Sequence, residues 1–153
     1  MGWHELLTVK GYYVDSRNDF ILNAFKDLKS RMTEHFPFDQ TPLNEEESDL
    51  VDKLDQLFND ITHQAADYSF DAQEILSRFI RCYANLVPLV RRELLWFIGG
   101  ECLHFLGDEE LSFYQELEDR LYQLERQGIN VDINEQIKSL RQELDTNNSN
   151  TTH

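Results

Sequence analysis

Proline and glycine cut this chain into blocks, and within each block apolar residues recur three and four positions apart. That spacing is one face of an α-helix, and it limits the fold more than any other feature. Phe20, Ile21, Ala24, Phe25, Leu28 and Met32 form the first stripe, with Ser16 and Asp19 ahead of it in the spacing of a capping box. The stripe predicts a helix that stops near His35, because Pro37 pushes its predecessor out of helical geometry. A loop from Phe36 to Leu43 follows. Asn44 then stands at a cap position, with Glu45, Glu46 and Glu47 in the first turn of a second helix. Carboxylates there are stabilised by the partial positive charge of the helix end. Leu50, Leu54, Leu57, Phe58, Ile61 and Ala65 mark its apolar side.

The third helix is predicted from the pair Asp71 and Glu74, with Phe70 stapled onto Ile75 across the cap. Its stripe runs through Phe79, Ile80, Tyr83 and Leu86 to Pro88, which suits the first position of a fourth helix. From Leu94 to Leu106 that helix is apolar on nearly all sides, the pattern of a buried central element. Gly99-Gly100 in its middle costs about 1 kcal/mol per glycine relative to alanine, which a kink or a close neighbour would offset. Asp108 caps a fifth helix along Leu111, Tyr114, Leu117, Leu121 and Leu124, ended by Gly128. Asp132 and Glu135 open a sixth with the narrow stripe Ile133, Ile137, Leu140 and Leu144. Residues 1–14 read as a hairpin or an irregular arm. The expected architecture is all-α: a single-domain helical bundle of five or six helices over residues 1–144, with a short irregular N-terminal arm. A disordered polar tail is expected over 145–153.

Composition narrows the function classes. The 153 residues include 29 acids against 14 lysines and arginines, a formal charge of −15, which repels phosphate backbones and argues against direct nucleic-acid binding. With 41% hydrophobic residues the charge decorates a folded object. No apolar run is long enough to span a membrane. Glu5 lies where a secretory signal needs a positive flank and an apolar core, and Leu6 lacks the hydroxyl of a myristoylation motif. Cys82 and Cys102 sit in apolar helical contexts, where cysteine behaves as a small hydrophobe. A cytoplasmic location is expected.

Three groups of residues offer chemistry. Asp60 and His63, and again Glu101 and His104, place an acid and an imidazole one helical turn apart, with Glu34 and Glu74 as further donors. This spacing is similar to that of ferritin-like proteins, and the resemblance implies a metal-dependent helical-bundle enzyme. Asp60 is shorter than the usual glutamate and flanks the apolar stripe, which favours a reading without metal or other cofactor. Trp96, Gly100 and Leu103 fall near tetratricopeptide positions, but Glu116 and Asp119 stand where small residues belong, and no repeat is visible. Trp96, Phe97, Phe105 and Tyr83 could line a small-molecule cavity. Nucleophilic catalysis has no motif to support it.

The surface itself is the third group. Glu45, Glu46, Asp49, Asp52 and Asp55 crowd the second helix, and Glu116 and Asp119 lie on the fifth. Such fields speed encounter with positively charged partners. The sequence therefore favours a non-enzymatic regulator or adaptor that binds a basic protein surface, with a nucleic-acid charge mimic as its sharper form. The narrow stripe of the sixth helix adds a homodimer through the C-terminal helices as an alternative.

Overall fold

Six α-helices and two 3₁₀ segments account for most of the described chain: α1 (Gly2–Met32), α2 (Glu45–Thr62), α3 (Ser69–Cys82), α4 (Arg92–Ile98), α5 (Asp108–Arg126) and α6 (Ile133–Thr151). The 3₁₀ segments, Ala84–Leu89 and Gly100–Phe105, flank α4. This computed structural model describes the backbone of residues 2–64 and 67–151 and the side chains of 16–64 and 67–148. Among the described residues there is no strand. Ala65 of the predicted second stripe lies outside them, as do the arm side chains. The described contacts gather into two units, Asp19–Asp108 and Met1–Asn18 with Glu109–His153.

In the first unit α2 and α3 pack antiparallel. Leu50, Leu54, Leu57 and Ile61 of α2 and Ala72, Ile75, Leu76 and Phe79 of α3 are buried, as their periodicity requires. Two polar contacts fix the pairing. Tyr83 donates its hydroxyl to Glu47 Oε2 at 2.6 Å, and Arg78 donates to Asp49 Oδ2 at 2.8 Å and to the Glu46 carbonyl at 3.0 Å. Each joins the C-terminal end of α3 to the N-terminal end of α2. Glu47 is only 5% exposed, so this carboxylate of the predicted acidic turn serves the core instead of the surface. Burial, then the adjacent Glu47, pushes the Tyr83 hydroxyl well above its ordinary value, so it stays a donor. Phe38 closes over the same end, its ring 4.8 Å from Tyr83 and 6.3 Å from Phe79.

The predicted fourth helix is not one helix. Pro88 lies inside a 3₁₀ segment, Val90 and Arg91 are extended, and α4 stops at Ile98. Gly99 and Gly100 then take φ of 71° and 57°, in the left-handed region where side-chain-bearing residues are strained. A Cβ on Gly100 would lie 2.5 Å from the Gln73 side chain, so the glycine permits a close approach to α3. Arg92 holds the far end by donating to the Phe105 carbonyl at 2.9 Å. The break preserves the core: Leu94, Leu95, Ile98, Cys102 and Leu106 are all buried. Cys82, expected as a small hydrophobe, is exposed because α3 ends on it.

In the second unit α5 ends in a Schellman motif. Gly128 has φ 74°, its N–H reaches the Glu125 carbonyl at 3.0 Å, and the Ile129 N–H reaches that of Leu124 at 3.1 Å. Asp132 caps α6 as predicted, accepting from the Glu135 N–H at 3.2 Å. Arg120 grips Glu143 through two bonds of 3.1 and 2.6 Å, and Arg141 lies 4.6 Å from the Phe113 ring centre. Ile133, Ile137 and Leu140 of the sixth stripe are buried within the single chain, while Leu144 is half-buried.

Both predicted irregular ends are helical. α1 begins at Gly2, so Ser16 and Asp19 are interior positions and not a cap. No proline interrupts residues 2–32, and one glycine at position 11 costs too little to stop a helix of that length. α6 continues past Leu144 to Thr151, beyond the end of its apolar stripe; residues 152 and 153 lie outside the described chain.

Candidate functional site

The five acids singled out on α2 are all exposed, but they differ in what they touch. Asp55 accepts from Lys29 at 2.6 Å, and Asp49 is shared between Arg78 at 2.8 Å and Lys53 at 3.4 Å. The hydrogen bond from Arg78, aided by the charge of Lys53, holds the Asp49 carboxyl below the ordinary aspartate range. Among the described residues, Glu45, Glu46 and Asp52 make no side-chain ion pair. Of the seven acids of α2, Asp49 and Asp55 are thus spent on cations, Glu47 on the core and Asp60 on a hydrogen bond from Gln56, leaving Glu45, Glu46 and Asp52 facing water. On α5, Glu116 and Asp119 are exposed, and Asp119 accepts from Gln115 at 3.4 Å. Two acids between and beyond them are occupied: Glu118 and Glu125 both accept from Arg17, at 2.8 Å each. Burial pulls the Arg17 guanidinium down, but its bonds to those two carboxylates outweigh that and raise it.

Beside the acidic helix runs a cleft of about 540 Å³ between α2 and α3. Leu50, Leu57 and Ile75 form its apolar floor, with the buried Ser77 among them. Lys53, Arg78 and Arg81 line one end, while Asp60, Asp71 and Glu74 line the other. Because α2 and α3 are antiparallel, residue order along each helix sets this separation. Asp71 and Arg81 are ten residues apart, about 15 Å along the helix. Glu101 joins the wall from the second 3₁₀ segment, placed there by the turn at Gly99-Gly100. Phe70 was expected to staple down onto Ile75, yet it is 63% exposed at the acidic end of the cleft. The helix starts at Ser69, two residues ahead of Asp71, so Phe70 is a first-turn residue and not the staple position before a cap.

The metal arrangement suggested by spacing does not assemble. Asp60 and Glu101 reach the cleft, but His63 and His104 are exposed and do not line it. His63 caps the end of α2 and its Nδ1 lies 2.8 Å from the Asn59 carbonyl, so its ring is turned onto the helix end and not into the cleft. Glu34 is exposed and outside the cleft, and Glu74 lines it alone of the two. Among the described residues no group of three or more His, Cys, Asp or Glu is placed to hold a metal ion. The cleft is also not lined by Trp96, Phe97, Phe105 or Tyr83. Phe97 instead packs edge-on against Phe20 at 5.2 Å, and Tyr83 is committed to Glu47. No helix among the described residues is long and apolar enough to cross a membrane.

An all-α protein with an acidic helix beside a charge-divided cleft is the class these features define. The chain belongs to the PA2817-like family, whose family model matches residues 13–149. No curated protein matches it, and no solved structure does.

Proposed function

We propose that the protein is a non-enzymatic cytoplasmic regulator or adaptor that docks on a basic surface of a protein partner. The contact face is the outer side of α2, with Glu45, Glu46, Asp49, Asp52 and Asp55; Glu116 and Asp119 of α5 are a second acidic set, on the other unit, for the same kind of partner. The observation that carries this reading is the trio Glu45, Glu46 and Asp52, exposed and without an ion pair among the described residues. Unpaired carboxylates on a rigid helix keep their full charge for a partner, whereas Asp49 and Asp55 must first release or share a cation. Attraction of this kind mainly raises the association rate and is screened by salt.

The test compares the intact chain with a variant carrying Glu45→Gln, Glu46→Gln and Asp52→Asn as baits in cell extract. Proteins retained by the intact chain at low salt, released at high salt and not retained by the variant are the expected result. Recovery of the same proteins by both baits would overturn the proposal. Glu45 and Glu46 also favour the start of α2, so the variant should melt slightly below the intact chain while remaining folded, which its melting curve checks.

A further inference from the structure

We infer that the α2–α3 cleft is a seat for an amphipathic helical segment of the partner, cationic at one end and anionic at the other. The inference rests on the docking function proposed above and assigns the partner's chemistry.

Three observations lead there. The first is the order of charge: Lys53, Arg78 and Arg81 occupy one end, and Asp60, Asp71 and Glu74 the other, with Glu101 on the wall. Arg78 is already bonded to Asp49, and Lys53 lies near the same carboxylate. Arg81 has no ion pair among the described residues, and neither do Asp71, Glu74 and Glu101. The open charges of the cleft are therefore a cation at one end and carboxylates at the other. A matching occupant carries the opposite order. Its cations meet Asp71, Glu74 and Glu101, and its carboxylate meets Arg81.

The second observation is the floor. Leu50, Leu57 and Ile75 line the cleft along with the charged residues, so one face of the occupant must be apolar. Over about 15 Å a helix of about ten residues offers two to three apolar side chains on one face, which fits that strip. The third is the wall. Phe70, Asp71, Glu74, Arg81 and Glu101 line the cleft and are all exposed. A small ligand is held by burying most of its surface, and side chains this exposed cannot close over one. A protein segment brings its own cover, and Phe70 at the rim is the kind of aromatic anchor that such contacts desolvate.

The probes are two synthetic helical peptides of identical composition and net charge with the same apolar stripe. One has its lysines gathered at one end and its glutamates at the other; in the second they are interleaved. Binding to the full chain is read by fluorescence anisotropy at low salt. The charge-separated peptide should bind about tenfold more tightly. Phe70→Ala should cost that peptide about tenfold, and Arg81→Glu should be rescued by exchanging its glutamates for lysines. Both residues are exposed, so the variants should melt with the parent. Equal affinity for the two peptides would overturn the cleft assignment while leaving the acidic face as the docking surface. Loss of both on neutralising Glu45, Glu46 and Asp52, with no effect of Phe70→Ala or Arg81→Glu, would do the same. Failure of both peptides to bind overturns it too, and the extract experiment then decides separately on docking.

Discussion

Between Asp19 and Asp108 the helices close over a broad set of aromatic and aliphatic side chains, in which Phe25, Phe79, Leu76 and Leu94 are almost completely buried. Among the described residues, the unit that contains α5 and α6 shows a thinner apolar stripe, Tyr114, Leu117, Leu121, Ile137 and Leu140, bordered by ion pairs. Arg17 binds Glu118 and Glu125, and Arg120 binds Glu143. Apolar burial is indifferent to salt at ordinary concentrations, whereas partly exposed ion pairs are screened. An equally acidic surface therefore overlies two kinds of stability. Among the described residues packing dominates the first, to which the pairs Lys29 with Asp55 and Arg78 with Asp49 add, while the second leans more on the few cations of a chain with 29 acids and 14 bases.

The largest effect should come from the packed unit. Phe79→Ala removes a ring that touches Phe38 and Tyr83, and should cost about 3–5 kcal/mol in denaturant unfolding with little dependence on salt. Next is Gly100→Ala, which forces a Cβ onto a backbone at φ 57° and against Gln73; about 1–2 kcal/mol is expected. Adding Gln73→Ala should recover the crowding part and leave the backbone part, which a double-mutant comparison measures. Arg17→Met should cost about 1 kcal/mol, visible as faster hydrogen exchange along α5, and the cost should shrink as salt rises. A Phe79→Ala loss that salt diminished, or an Arg17→Met loss that it left alone, would erase the distinction between the units.

The smallest effect is a pH dependence. The hydrogen bond from Arg120 holds the Glu143 carboxyl below the usual glutamate value of 4.5. A depressed folded-state value means the unfolded chain takes up the proton first. The stabilisation is therefore complete above about pH 4.5 and is lost as pH falls through the lower folded value. Melting curves of the intact chain and Arg120→Gln should differ at neutral pH and converge in acid. A gap that persisted in acid would assign the role of Arg120 to packing of its stem instead of its charge.

Much of this was legible in the residues. The stripe of α2, the Asp132 cap and the Gly128 stop all rest on interactions within a few positions, and each is found where the spacing puts it. The surface acids were legible as a set, since charge density needs no tertiary information. Their division was not. Glu47 differs from Glu45 and Glu46 only by facing Tyr83, which is 36 residues away, and Asp49 is separated from Asp52 by the reach of Arg78. The cleft was missed because its lining comes from α2, α3 and the 3₁₀ segment after Gly99, and only the exposed Phe70 marks it, which by sequence resembled a staple.

By itself the sequence determined that the chain is all-α, where α2, α5 and α6 start and where α5 stops, and that the chain is strongly acidic. These follow from local periodicity, capping chemistry and composition, which act over three or four residues. The glycine pair marked a kink or a close neighbour at Gly99-Gly100, but only the tertiary structure decided which neighbour approaches there and that Glu101 turns toward a cleft. A helix-length apolar pattern cannot record a close approach to Gln73, because that contact exists only once α3 has packed beside it. Which carboxylates stay open to a partner was settled in the same way, by where a distant arginine or tyrosine arrives.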